Sequence, residues 1–330
     1  MSGPRAGQAP VVSVITANYN GARHLPDAIA TVLGQTLGSL ELIVVDDAST
    51  DGSAALVRAA SARDRRVRLI VQGRNAGPGA ARNRALEEAR GEWVAVFDSD
   101  DLMAPDRLER LVRRAKADGA DITADNLMAF EDGAAGPARP FLPQQLFQAP
   151  RWVSLAEVIG SSRMYARAPG LGYLKPLVRA EAWRGAGVRY DEALRIGEDY
   201  DVLIRLLAKG LTLRLEPGAL YRYRRHPASI SHAIRRDQLE AMLRADDAFE
   251  ADVRELPADV RRAQADHRRS IERAIAYDEV IQRLKRRDLA GGLSRAMSAP
   301  AIWPLLTMPV TARMKRLAAR LQPAHQIQPA

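Results

Sequence analysis

Four apolar runs, each ending in a polar cluster or turn and most followed by a helix-spaced segment, set the fold class. Residues 11–17 (VVSVITA), 41–45 (ELIVV), 67–71 (VRLIV) and 93–97 (WVAVF) read as strands. Between them, 24–35 (HLPDAIATVLGQ), 54–60 (AALVRAA) and 77–90 (GPGAARNRALEEAR) read as helices. Strands alternating with helical patterns imply βαβ units and a mainly parallel α/β sheet. Ligands gather at the carboxyl ends of such strands. The sequence puts its polar clusters there: Asn18 to Asn20, Asp46 and Asp47, and Asp98 to Asp101.

After residue 120 the alternation weakens. Residues 120–130 (ADITADNLMAF) read as one strand, and 131–150 as a Pro/Gly-rich irregular connection. Residues 161–174, ending in Tyr173 and Leu174, read as a substrate loop. A convincing amphipathic helix at 197–210 (GEDYDVLIRLLAKG) precedes two strands, 211–215 and 219–224. Two charged helices, 234–256 and 258–288, are split by Pro257. The expected domains are a short disordered N-terminus (1–10), an α/β domain (11–232) and a basic helical extension (233–330). The domain divides into a nucleotide-binding half (11–130) and an acceptor half (131–232).

Composition narrows the partners. With no cysteine among 330 residues, disulfides and thiolate metal sites are excluded. The start has no signal-peptide core and no run reaches the length of a membrane span, so a cytoplasmic protein is expected. The net charge of +9 is carried by the end of the chain. Residues 261–330 hold 14 Lys/Arg and 5 Asp/Glu, leaving 35 of each sign before them. A neutral body with a basic tail fits a surface-seeking appendage and not a nucleic-acid reader. Residues 300–322 combine a Trp-containing apolar run with a basic helix, on which Met314, Leu317, Ala318 and Leu321 share one face. That suits an anionic membrane surface on the inner face of the cell membrane; a helix docked on the body or in a homodimer is the alternative.

The acid cluster FDSDD (97–101) suits a hard cation such as Mn²⁺ or Mg²⁺, which takes carboxylate oxygens and keeps waters or substrate phosphates as its other ligands. Asp98 and Asp100 share a side if the chain stays extended; Asp101 serves equally as a cap. DDASTDGS (46–53) matches the start of a calcium loop, but Arg58 stands where a bidentate Glu is required, so that reading fails. Asp46 at a strand end can instead reach a ligand, with Asp51 or Ser53 capping the next helix. Gly77-x-Gly79 opens a helix with Arg82 one turn in, where it can meet an anion. The spacing does not match a nicotinamide-binding fingerprint. Arg84 reads as a surface residue. Asp199 sits at the mouth of the 197–210 helix, as a cap, a catalytic group or both. Among the histidines, His226 alone has supporting context, as a metal ligand or a phosphate contact.

VSVITANYNG, ELIVVDDASTDGS, NAGPGAARNRAL, GEWVAVFDSDD and GEDYDVLIRLLAKG occur in an order and spacing that resembles the family-2 nucleotide-sugar glycosyltransferases of GT-A fold. The likeness covers about residues 11–230. LGYLKPLVRAEAW and YRYRRHPASIS look like the bacterial exopolysaccharide and cell-surface glycan branch, including the succinoglycan type. The resemblance implies that Tyr19 and Asp46 hold the nucleotide base and Arg82 lies near base and diphosphate. It makes Asp98 and Asp100 the Asp-x-Asp motif, with Asp98 near the ribose or sugar and Asp100 on Mn²⁺ or Mg²⁺ bridging the diphosphate. Glu198 and Tyr173 fall on the acceptor side, and Asp199 is the catalytic base. The implied partners are a UDP-sugar donor and a glycan or lipid-linked acceptor. Ala17 departs from the Pro common in the family. The absence of a Gln-x-x-Arg-Trp motif after Asp199 argues for transfer of a single sugar. The competing readings are a sugar-phosphate nucleotidyltransferase, whose phosphate loop TANYNGARHLP does not match, and an inactive glycan- or membrane-binding scaffold.

Overall fold

A computed structural model of the chain describes residues 9–133, 136–226, 234–253 and 255–307. Its first elements follow the expected alternation: β1 (Val12–Asn18), α1 (Leu25–Leu33), β2 (Leu40–Asp46), α2 (Ser53–Arg63), β3 (Val67–Val71), α3 (Pro78–Glu88) and β4 (Trp93–Val96). The order continues with β5 (Leu102–Met103), α4 (Arg107–Asp118), β6 (Ile122–Ala124), β7 (Leu127–Glu131), β8 (Arg139–Pro140) and β9 (Arg151–Val153). It ends with α5 (Leu155–Ser161), β10 (Leu177–Arg179), α6 (Ala180–Ala186), α7 (Glu198–Ala208), β11 (Leu213–Leu215), β12 (Tyr221–Arg225), α8 (Arg236–Asp252), α9 (Ala258–Lys285), α10 (Leu289–Ser298) and α11 (Trp303–Leu306).

The main sheet has eight strands in the order β3-β2-β1-β4-β10-β6-β11-β9. β1 pairs in parallel with β2 and β4, and β2 with β3, while β10 runs antiparallel between β4 and β6. Every residue of β2 is buried, as a central strand covered on both faces requires. A second sheet, β5-β12-β7-β8, lies beyond the carboxyl end of β4 in chain order. Residues 9–267 and 268–307 belong to two compact units. The expected boundary at 232/233 lies outside the described residues.

Two local expectations change. The strand read over 120–130 is two strands in different sheets, because Asp125 and Asn126 turn the chain. Asn126 accepts from the Leu142 amide at 3.0 Å and donates to the Leu142 carbonyl at 3.1 Å, so it pins the 131–150 connection to the body. That connection is correspondingly less irregular than its Pro/Gly content implies: β8 pairs with β7, a 3-10 turn spans Gln144–Phe147, and Leu142 and Phe147 are buried.

Candidate active site

The polar ends of β1 and β2 are tied to each other before they meet any ligand. Asp46 is fully buried; Oδ2 accepts from Asn18 Nδ2 and Oδ1 from the Ser49 amide, both at 2.9 Å. Asp47 accepts from the Ala76 and Gly77 amides at 2.8 Å each, so the anion at the amino end of α3 is the chain's own carboxylate. Asp51 accepts from Ser53 N at 3.0 Å and from Ala22 N at 2.8 Å, stapling the 19–22 turn to the start of α2. Tyr19 projects from that turn with 53% of its surface exposed, a ring face open for stacking.

The glycines of α3 serve packing. Gly77 has φ +102, and a Cβ on Gly79 would lie 2.9 Å from the Asp191 carbonyl oxygen. Asn83 bridges the same segment by bonds to the Tyr190 amide and carbonyl and to Glu192. α3 is thereby locked against residues 190–192, and Arg82 is carried into the interior, not left at an open helix mouth. Arg84 pairs with Glu87 and Glu88 on the surface, as expected.

Arg82 is the hub of a buried charge network. Its Nη2 donates to Asp98 Oδ1 and its Nη1 to Glu198 Oε1, both at 2.6 Å, and Nη1 lies 3.6 Å from Asp199 Oδ1. Lys175, just before β10, completes it: Nζ lies 2.6 Å from Asp98 Oδ2 and 2.5 Å from Asp199 Oδ2. Burial alone would raise the Asp98 pKa, but Lys175 and Arg82 outweigh it and hold the carboxyl at about 2. Burial and the neighbouring Asp199 raise Glu198 above the usual carboxylate range. Asp199 Oδ2 is thus anchored, while its buried Oδ1 accepts no hydrogen bond among the described residues. A carboxylate with one oxygen held by Lys175 and the other free of hydrogen bonds, though 3.6 Å from the Arg82 guanidinium, has an oxygen that can accept a proton.

The FDSDD cluster divides three ways, because the chain turns after Asp98 instead of staying extended. Asp98 faces Arg82 and Lys175. Asp100 faces away from that pair, with Oδ2 2.9 Å from His226 Nε2. Asp101 is neither solvated nor a cap. It is fully buried and accepts from the Tyr221 hydroxyl and the Arg224 amide at 2.7 Å each. Burial first, then Asp100 and Asp98, push its carboxyl well above the usual range. The same Tyr221 hydroxyl accepts the Asp98 amide at 3.2 Å, so one side chain places both ends of the turn.

A cation site can be tested against these positions. Among the described residues no three His, Cys, Asp or Glu side chains converge on one point. Asp100 and His226 supply two ligands, and both Asp98 oxygens are engaged by cations. This donor set fits an Mn²⁺ or Mg²⁺ that takes its remaining ligands from a diphosphate and water, not a metal caged by protein.

A model of the family described as "Glycosyl transferase family 2" matches residues 13–169. The succinoglycan biosynthesis protein ExoO of Rhizobium meliloti (strain 1021) is 40% identical over 323 residues, 97% of this chain and 90% of the relative. The chain belongs to glycosyl transferase family 2. ExoU of the same organism is 31% identical over 297 residues, covering 89% of this chain and 85% of its own length. Among solved structures, S. aureus TarS 1-349 in complex with UDP superposes with a TM-score of 0.57 at 21% identity, over 80% of this chain and 69% of that one. The Pyrobaculum calidifontis mannosyltransferase PcManGT, solved with GDP-Man and Mn²⁺, gives 0.57 at 18% identity, over 95% and 81%. The fold of this glycosyltransferase is GT-A.

Four residues of the site escape a reading of motifs. Lys175 is one of only five lysines in a chain with 49 basic residues, and it stands in an apolar run before Pro176; that isolation was the available signal. Arg107 and Asp125 form a fully buried pair, Nε to Oδ1 at 2.9 Å. Arg107 also donates to the Lys175 carbonyl at 2.5 Å and stacks 4.9 Å from the Tyr221 ring centre. His24 lies 5.0 Å from His226, ring centre to ring centre. Tyr173 packs edge-on to Phe141 at 5.1 Å and leaves part of its ring exposed.

Proposed function

We propose that the chain is an inverting, metal-dependent, non-processive hexosyltransferase. It moves one sugar from a nucleoside diphosphate sugar, UDP-hexose foremost, to a glycan or lipid-linked acceptor in exopolysaccharide or cell-envelope glycan synthesis. The observation that carries the reading is the divided Asp199 carboxylate, one oxygen held by Lys175 and the other free of hydrogen bonds, on the same network as Asp98. The succinoglycan names of ExoO and ExoU support the pathway class. The UDP, UDP-GlcNAc and GDP-Man bound in the structural neighbours support the donor class.

Asp199 Oδ1 takes the proton of the acceptor hydroxyl as that oxygen bonds to the anomeric carbon. The bond from this carbon to the phosphate oxygen breaks, and its electron pair leaves with the nucleoside diphosphate. A base on the face opposite the leaving group inverts the anomeric centre. Asp100 and His226 would hold the cation, which when bound neutralises charge on the departing diphosphate. Tyr19 stacks on the base and Asp46 shapes the base-binding turn. Asp98 orients the sugar side through Arg82 and Lys175. Glu198 fixes Arg82, and Tyr173 offers an aromatic face to the acceptor sugar.

Thermal melting with UDP, GDP and CMP, each with and without Mn²⁺, tests the donor site. One nucleotide diphosphate, expected to be UDP, should raise the melting temperature only with the cation. At a hundredfold excess over Kd this corresponds to about 2.7 kcal/mol of stabilisation. A melting temperature that no nucleotide moves in the presence of Mn²⁺ would overturn the reading.

A further inference from the structure

The helix that follows α9 buries two small residues and exposes its large apolar side chains. Gly292 and Ala296 of α10 are buried, Ala296 in a cluster with Ala276 and Val280 of α9 and Ile302. Leu289, Leu293 and Met297, spaced four apart on the adjoining stripe, are 67%, 66% and 62% exposed. Trp303 is 51% exposed, and its Nε1 donates to the Ala296 carbonyl at 2.9 Å, which fixes the indole beside the end of α10. A helix turned only toward its neighbours would bury the leucines and expose the glycine and alanine. Here the apolar arc is wider than the partner helix covers, and its bulky edge is the uncovered one.

Charge accompanies the stripe. α9 ends in Lys285, followed by Arg286 and Arg287, all exposed and with no ion pair among the described residues. Nearby Arg283 and Arg295 are already engaged by Asp288 and Glu279, at 2.9 and 2.6 Å. Arg287 has φ +63, the left-handed turn through which the basic run passes into α10. Three unpaired cations beside three large aliphatic side chains and a fixed indole are the chemistry of a lipid headgroup boundary.

We propose that the Leu289–Leu293–Met297 stripe and Trp303 enter the interface of an anionic lipid surface, with Lys285, Arg286 and Arg287 on its headgroups. The membrane-seeking segment expected at 300–322 therefore begins earlier, in α10; residues 308–322 lie outside the described residues. No described helix is long and apolar enough to cross a membrane, so the contact is interfacial.

The full chain should co-sediment with phosphatidylglycerol/phosphatidylcholine vesicles and not with phosphatidylcholine alone. Leu289→Ser/Leu293→Ser/Met297→Ser should weaken that partition by about tenfold or more, and Arg286→Glu/Arg287→Glu should remove most of its salt dependence. These side chains are exposed, so the melting temperature should hold and report intact folding. Vesicle binding needs no turnover, so it is read independently of sugar transfer. The proposal is overturned if the wild-type chain binds neither vesicle, or if the triple variant binds like wild type, which would assign binding to the basic 308–330 segment. It is also overturned if the triple substitution changes only the mass in light scattering, which would make the stripe a contact between two copies.

Discussion

Asp199→Asn should lower turnover of the sugar nucleotide by about 10²–10⁴-fold, the usual contribution of a positioned general base, while UDP binding changes by no more than about threefold. The substitution keeps the volume of the side chain. An amide oxygen can still accept from Lys175 Nζ, which lies 2.5 Å from Asp199 Oδ2 in the native site. What disappears is the negative charge at Oδ1, the buried oxygen without a hydrogen-bond partner. Steady-state nucleotide release and a UDP titration on the same preparation separate the two effects. Turnover within tenfold of wild type would move the base to another carboxylate. Glu198 is the nearest candidate in the network, although its 2.6 Å bond to Arg82 engages it.

Arg107→Met should cost about 3–5 kcal/mol of stability, because it leaves the Asp125 carboxylate buried without its cation. Both groups are fully buried and meet at 2.9 Å. Asp125 cannot relax toward water, since its Oδ2 accepts the Leu220 and Tyr221 amides at 2.7 and 2.9 Å. Arg107→Met/Asp125→Asn should recover part of the loss, as the neutral amide oxygen keeps an acceptor for those N–H groups without a buried charge. Urea melts of the two variants check this. A loss below about 1 kcal/mol for the single variant would mean that Asp125 finds another cation or is hydrated. Turnover should fall in the single variant too, for Arg107 holds the Lys175 carbonyl and the face of Tyr221.

What the sequence revealed and what it hid follow from the range of the interactions. The order β1 to β4 with its helices was legible because period-2 and helical patterns are local, and the family motifs sit on those strand ends. Asp98, Asp199 and Arg82 were legible for the same reason, each being part of a motif. The lysine that joins two of them was not. Lys175 reaches Asp98 across 77 positions and Asp199 across 24, a juxtaposition made only when β10 inserts antiparallel between β4 and β6. Asp101 read equally as a cap because nothing local announces that Tyr221, 120 positions away, will close over it. The 120–130 segment looked like one strand because its apolar pattern continues through Asp125 and Asn126. The turn there depends on Arg107 and on the 142 backbone, which no window contains. His24 had no context in the sequence and acquires it only beside His226.

The identity of the bond that breaks tests the assignment most directly. Wild-type protein with Mn²⁺ should consume one member of a panel of sugar nucleotides and release the nucleoside diphosphate, read by phosphorus NMR or by chromatography. Release in ¹⁸O-labelled water with the label on the sugar and none on the diphosphate places cleavage between the anomeric carbon and the phosphate oxygen, the bond opposite the proposed base Asp199. Release of a nucleoside triphosphate on addition of pyrophosphate, with sugar 1-phosphate as the other product, would place cleavage between the two phosphates. It would contradict glycosyl transfer at this site.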